Sequence, residues 1–325
     1  MKTALYSALF CCSLQGVAMT AASAQESYPE GPVTIVVPFS PGGATDTTAR
    51  LLAEQMSKDS GYRFIVENKP GAGGSIAAGY VARSKPDGYT ILFGTSNTNG
   101  INSYIYPDLP YDAIESFSPV GFVAENVVVL LANSSFPADT LGDAIQTLKA
   151  DPGKYSYGSP SVGTVHHLAM ELLSESEGLD VLHVPYKGAG PAMVDLVAGN
   201  IPLMVGGIAP AAPFIESGKI KLLGVANDRR FKGLPENIQY FSDVSPNNAV
   251  SSWMGLLAPK GTPQNHINAL SEVLKKALNS SDLTQKLEQQ GMQSEYMSPE
   301  DFSRHISNGM EFWKSAVKAA SLEQN

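Results

Sequence analysis

The stretch Val33 to Arg50, VTIVVPFSPGGATDTTAR, constrains the fold of this chain more than any other. Its first five residues are all β-branched and mostly apolar, the composition of a short strand covered on both faces in a parallel sheet. Pro38, Pro41, Gly42 and Gly43 then make a turn in which the backbone can come close to another molecule. Thr45 and Asp46 stand where the N-cap and first turn of the next helix belong. That helix carries Ala49, Leu52, Ala53 and Met56 on one face and ends near Gly61. A helix that starts after a Gly-rich turn offers unpaired N–H groups and the positive end of its peptide dipoles, so it can hold an anion.

The same unit recurs along the chain. A strand over Tyr62 to Glu67 leads to the Gly-rich turn Asn68 to Gly74 and a small-residue helix from Ser75 to Arg83. Tyr89 to Phe93 forms a third strand that runs into Gly94 to Gly100, completing a right-handed βαβαβ half of a doubly wound sheet. Tyr111 to Val123 carries the chain to a second unit with strands at Val127 to Leu131, Tyr155 to Tyr157, Leu179 to Val184, Pro202 to Val205 and Ile220 to Ala226. Its helices are Thr140 to Ala150, one from Val165, and one with Pro191 near its start and Gly199 beyond its end. Trp253 to Ala258 and the turn Pro259 to Pro263 then return the chain to the first unit. Helices at His266 to Leu278 and Leu283 to Gln290 follow, then a short strand to Met297. Ser298, Pro299, Glu300 and Asp301 open a terminal helix. The expected fold class is α/β: two doubly wound lobes, 25–125 plus 250–325 and 126–249, crossed twice by the chain, with a hinge and a ligand cleft between them.

The first 24 residues stand apart. Lys2, the apolar stretch Ala4 to Thr20 and Ala22-Ser23-Ala24 read as a signal peptide cleaved before Gln25, which predicts an exported, periplasmic protein. Leu9-Phe10 ahead of Cys11 is unlike a lipidation site. Both cysteines, Cys11 and Cys12, fall in this segment, so the remainder can form no disulfide, thiolate metal site or Cys nucleophile. Without Lys2 the chain carries 21 basic against 31 acidic residues, which argues against nucleic acid or an anionic membrane as partner.

Ligands of open parallel sheets bind beyond the carboxyl ends of the strands. The loops PFSPGGATD, GTSNTNG, GSPSVGT and YKGAGP meet that description, two from each lobe, and Asp46 and Lys187 are their only charges. The candidate binding residues are Phe39, Ser40, Gly42, Gly43, Ala44, Thr45 and Asp46, with Thr95, Ser96 and Asn97, in the first lobe. In the second they are Ser159, Ser161, Gly163, Thr164 and His166, with Lys187, Gly188 and Ala189. Neutral donors and helix starts match a small carboxylate best. Several charge-assisted hydrogen bonds of roughly 1.5–3 kcal/mol each reach the about 8 kcal/mol of micromolar binding. Asp46 has two readings, a contact to a ligand ammonium or a cap on its own helix, and the cap is favoured because a bare carboxylate repels an anion. His166 reads either as a donor in the cleft or as a capping or core residue.

Enzyme motifs fare worse. Gly94 to Thr98 falls one glycine short of a nucleophile elbow, Gly71 to Ile76 lacks the last glycine of a dinucleotide fingerprint, and there is no phosphate loop. His167 and Glu171 lie one helical turn apart, but two ligands make no zinc site, so neither metal nor cofactor is expected. The enzymatic alternative is a hydrolase using Ser96 or Ser159 with His166. Trp253 and Trp313 are read as packing residues.

The runs PFSPGGATDTTAR, ENKPGAGGSIAAGYVARSKPDGYT, GSPSVGTVHHLAMELL, HVPYKGAGPAMVDLVAGN and WMGLLAPKGTP resemble, in order and spacing, the Bug family of periplasmic solute receptors. The resemblance covers nearly the whole chain after the signal peptide. It implies the type II periplasmic-binding fold, two lobes joined by two crossover strands that close on a small organic acid, without bond chemistry. It implies a carboxylate held by backbone amides, hydroxyls and waters, here from Phe39 to Asp46, Ser159 to His166 and Lys187 to Ala189. The implied partners are the inner-membrane subunits of a tripartite tricarboxylate transporter, served by a monomer; a sensor subunit feeding a signalling kinase is the alternative. Between Arg230 and Trp253 the family commonly carries a Pro-Thr-x-x-Glu-type stretch where this chain reads LPENIQYFSDVSPNNAVSS, close to the second crossover.

Overall fold

A computed structural model describes residues 28–323; the expected signal peptide and its cleavage site lie outside them. The first strand and helix form where the sequence places them, β1 (Val33–Val37) and α1 (Ala44–Ser60), and Gly61 ends the helix in the left-handed conformation that glycine adopts without strain. Then come β2 (Phe64–Asn68), α2 (Ser75–Ala82), β3 (Thr90–Thr95), the short α3 (Asn102–Ile105) and β4 (Phe117–Asn126). The second unit holds β5 (Val128–Asn133), α4 (Leu141–Ala150), β6 (Ser156–Ser159), α5 (Val165–Glu177), β7 (Leu182–Pro185) and α6 (Ala189–Ala198). It continues with β8 (Leu203–Gly207), α7 (Ile208–Glu216), β9 (Ile220–Val225) and the short α8 (Phe241–Val244). The chain ends with β10 (Trp253–Pro259), α9 (Gln264–Leu278), α10 (Ser281–Gln289), β11 (Met292–Met297) and α11 (Pro299–Ala319).

Two sheets result. One has the order β11-β4-β10-β3-β1-β2 and the other β7-β6-β8-β5-β9. Strands β2, β1 and β3 are mutually parallel, as are β7, β6 and β8, so their carboxyl ends share one edge of each sheet. Neither sheet is parallel throughout. β10 runs against β3 and β4, and β5 against β8 and β9. Both β5 and β10 begin at the junction between the sheets and must run away from it, opposite to the strands whose ends point towards it. Helix α7 is an element that sequence reading missed, because Pro210 and Pro213 signal a break. Pro210 occupies the first turn, where its missing N–H costs nothing, and only Pro213 lies inside the helix.

The two crossings lie side by side. Asn126 N donates to Ser252 O (2.9 Å) and Val127 N to Gly291 O (3.0 Å). Asn227 donates through Nδ2 to Glu125 Oε1 and Asn126 O, both 3.0 Å, and accepts from Val128 N at 2.7 Å. Glu125, 2 % exposed, also pairs with Arg229 Nε at 2.9 Å. Burial, helped by the charge of Asp228, raises its pKa to about 7. The stretch 231–250 that departs from the family pattern packs onto the second sheet through buried Phe231, Tyr240, Phe241 and Val250.

Each sheet is covered on both faces. Helices α1, α9 and α10 bury Leu52, Met56, Leu270, Leu274, Leu283 and Leu287 on one side of the first sheet, and Val81 of α2 packs on the other with Phe302 and Ile306 of α11. α11 does not stop there. Its second half places Trp313, Ala316 and Val317 in the core of the second unit, with Leu168, Leu172 and Ile101. Trp253, packed edge-on against Phe302, and Trp313 are both core residues. Packing between β10 and α11 leaves no room at Gly255, where an added methyl would fall 2.2 Å from Phe302 Cζ. Gly255→Ala is therefore expected to destabilise the protein by about 1–3 kcal/mol. A urea midpoint equal to that of the original chain would contradict this.

Candidate functional site

Four Gly-bounded corners stand at the carboxyl ends of β1, β3, β6 and β7: residues 38–43, 96–101, 160–164 and 186–188. They form one continuous series. In the first lobe an added methyl at Gly74 would fall 2.8 Å from Thr98 and 2.9 Å from Pro38, so the 38–43 corner, the Ala72–Gly74 turn and the 96–101 corner are in mutual contact. Asn97 Nδ2, beyond β3 of the first sheet, then donates to Gly163 O, beyond β6 of the second, at 3.0 Å. In the second lobe Gly188 N donates to Pro160 O (2.8 Å) and Tyr186 N to Ser159 O (3.0 Å). The four corners are linked in series, and their tips at Ser40, Gly42, Gly43, Ala44, Ser161 and Lys187 are exposed.

Side-chain caps divide the helices without following the corners: α5 starts capped in one of them, while α2, α7 and α9 start uncapped elsewhere. Thr140, Thr164, Ser280 and Ser298 cap α4, α5, α10 and α11 with their side chains. Helices α1 and α6 start instead after Gly43 and Gly188, with no side-chain cap. At α1 the N–H groups of Ala44, Thr45 and Asp46 have no hydrogen-bond partner among the described residues, and the dipole adds to their attraction for an anion. Gly188, at φ 109°, holds a backbone conformation that other residues reach only with strain.

Several predicted residues support the corners from within. Asp46, 3 % exposed, accepts from Gly42 N (2.9 Å), Arg50 Nε (3.0 Å) and Asn68 Nδ2 (2.8 Å). Burial alone would raise its pKa; the hydrogen bonds from Arg50, Gly42 and Asn68 outweigh burial and hold it below the usual carboxylate range. Phe39 and Thr45 are half-buried, and Phe39 O accepts from Asn68. Thr95 bonds to Thr98, and Ser96 N donates to Trp253 O. Thr164 Oγ1 accepts from His167 N and donates to Ser161 O. Ala189 opens α6. His166 Nδ1 is buried with no hydrogen-bond partner among the described residues, and burial lowers its pKa to about 4.

A polar cluster that sequence reading did not assemble lies beneath the 160–164 corner. His183 stacks on His167 at a 3.9 Å centroid distance and places Nε2 2.8 Å from Ser159 Oγ. Gly163 N donates to His167 Nδ1 (3.2 Å), and Tyr157 donates to Glu171 at 2.5 Å. Burial lowers the pKa of His167 to about 3, with the neighbouring His183 adding to the effect, and that of His183 to about 4. Burial thus favours the neutral form of both rings, and acceptance from the Gly163 N–H requires it of His167. The i, i+4 spacing of His167 and Glu171 was the one visible signal, and their side chains stand 3.7 Å apart. Strand β7 supplies His183, and no sequence spacing announces it. The Ser159–His166 pair of the hydrolase alternative is not assembled: Ser159 is fully buried, donates to Ser161 O, and neighbours His183 instead of His166. Ser96 is only 2 % exposed. Among the described residues no group of three or more His, Cys, Asp or Glu could hold a metal, and no helix is long and apolar enough to cross a membrane.

Residues 48–322 match the family described as tripartite tricarboxylate transporter family receptor. Among curated relatives, the protein BugT of Bordetella pertussis is 31 % identical over 294 residues, covering 90 % of this chain and 90 % of BugT. Among solved structures, an R. palustris protein with adipate superposes with a TM-score of 0.81 at 32 % identity, covering 91 % of this chain and 99 % of that one. MatC from Rhodopseudomonas palustris with bound malate gives 0.77 at 32 % identity, covering 89 % and 100 %.

Proposed function

We infer the function from one premise: the chain belongs to the tripartite tricarboxylate transporter family of receptors. We propose that it is exported to the periplasm, with residues 1–24 removed as a signal peptide, and captures a small mono-, di- or tricarboxylate between its lobes. Lobe 25–125 plus 250–325 closes on lobe 126–249, and the closed form delivers the acid to inner-membrane transporter subunits without altering a bond. The observation that carries this reading is the pair of uncapped helix starts, α1 and α6, in Gly-bounded corners that belong to one series around the gap. Amide groups and helix dipoles placed there supply the charge complement of a carboxylate with no arginine directed at it. Similar proteins solved with adipate and malate support the ligand class.

A thermal-shift panel of organic acids, adipate and malate included, tests the capture. A binding acid at 100 times its dissociation constant is expected to add about 2.7 kcal/mol of stability. A flat response to every mono-, di- and tricarboxylate would remove the proposal. Gly43→Val tests the place. Gly43 is exposed, has an ordinary φ of −79°, and an added methyl would meet nothing nearer than Ser40 O at 3.7 Å. The free protein should melt within a few degrees of the original, while affinity drops at least about tenfold, the 1.4 kcal/mol of one lost hydrogen bond. Equal losses in both would count against a ligand at this corner. Delivery is tested by acid uptake into vesicles holding the transporter subunits, with and without the receptor.

A further inference from the structure

We propose that Asp46, with Asn68 and Arg50, is a positioning unit that presets the 38–43 corner for the ligand while touching no ligand itself. This rests on the carboxylate-receptor reading above, and it assigns to the charged residue of that corner a task other than ligand contact.

The geometry carries the assignment. Both ends of the corner are tied to one hydrogen-bonded unit, of which Asp46 is the buried member: Phe39 O accepts from Asn68 Nδ2 at 2.9 Å, and Gly42 N donates to Asp46 Oδ2 at 2.9 Å. The same Asn68 amide donates to Asp46 Oδ1 at 2.8 Å, which joins the two ties. Arg50 closes the ring, with Nε on Asp46 Oδ2 and Nη2 on Asn68 Oδ1 at 2.9 Å. Asp46 thus sorts the amides of its corner. It takes up the Gly42 N–H and leaves those of Ala44 and Thr45 unpaired. Its own charge, which would repel an anion, is balanced by Arg50 one helical turn away. Arg50 is in turn held by Asp46 and Asn68, so its charge is not the one that reaches into the gap. A site held in place by a hydrogen-bonded supporting layer loses less freedom when the ligand arrives.

The full-length receptor is examined by amide exchange and by isothermal titration with the strongest binder of the acid panel. In the ligand-free protein the Gly42 amide is expected to exchange slowly and those of Ala44 and Thr45 quickly, and the Gly42 amide signal should titrate with Asp46 below the usual carboxylate range. Asp46→Ala and Asn68→Ala should each speed Gly42 exchange and weaken binding at least tenfold at a temperature where the free variant is fully folded, with a lower melting temperature expected for Asp46→Ala, which strips a buried acceptor from Gly42, Arg50 and Asn68. Asp46→Asn, which keeps an acceptor for Gly42, should recover part of the affinity. Three results would each overturn the proposal: a Gly42 amide that exchanges as fast as that of Ala44, binding unaffected in both alanine variants, or affinity lost only in step with unfolding. If no acid binds the original protein, the receptor reading fails, and the exchange pattern of Gly42 still decides whether Asp46 presets the corner.

Discussion

Trp313→Ala is expected to cost about 3–5 kcal/mol, the range for truncating a buried aromatic ring. Trp313 is 3 % exposed and packs against Gly100, where an added methyl would fall 2.7 Å from the indole, and within the core that contains Leu168 and Leu172 of α5. The cost should appear as a melting temperature about 5–8 °C lower. The truncation is also expected to change the form of the transition. Helix α11 has Phe302 and Ile306 in the first core and Trp313, Ala316 and Val317 in the second, so the original protein should unfold in one step. Without the indole, the two units lose their shared anchor and a second transition should separate in calorimetry. A loss below about 1 kcal/mol with a single sharp transition would contradict this account.

Acidification from pH 7 to pH 5 is the second large effect. His166, His167 and His183 have folded-state pKa values lowered to about 4, 3 and 4 by burial, against an ordinary 6.5. As pH falls below 6.5 the unfolded chain takes up protons that the folded protein refuses, so stability falls with pH until the folded values are reached. Each histidine then removes up to about 2 kcal/mol by pH 5. Glu125 works in the opposite direction. Its folded pKa is raised to about 7, so the folded state takes up a proton first and gains about as much as one histidine loses. The net expectation is a loss of about 3 kcal/mol between pH 7 and pH 5, seen as a lower urea midpoint. Replacing His183 by Gln should flatten the profile, and Glu125→Gln should steepen it. A midpoint that does not move between these pH values would remove the claim that the three rings are buried and neutral.

What the sequence made legible was local. The β-branched run Val33–Val37, the αL glycine at Gly61 and the Ser298-Pro299 helix start each carry their own signal within a few residues, and the structure places elements there. The Gly-bounded corners were legible for the same reason, since glycine after a strand needs no distant partner to be recognised. Strand direction was not, because β5 and β10 are oriented by where the chain enters the sheet and not by composition. Helix α7 was hidden by two prolines, of which only Pro213 removes a bond. The groups beneath the corners were invisible as groups. Asp46 meets an asparagine 22 positions away, and Ser159 a histidine 24 positions away, through pairings that exist only once β2 and β7 have joined their sheets.

A helix rooted in both cores turns the molecule into a sprung clasp. Parting the 96–101 and 160–164 corners has to bend α11 or lift Trp313 off Gly100. Gly309 sits midway between the two rooted halves, where an added methyl would meet nothing closer than Trp313 at 3.5 Å, so no packing demands a glycine there. Glycine costs a helix interior about 1 kcal/mol against alanine and softens it. On the proposed reading, in which the lobes part to admit an acid, the elastic work of opening would enter every binding constant: the acid would be held as tightly as its contacts allow, corrected for how far the spring prefers one resting shape over the other.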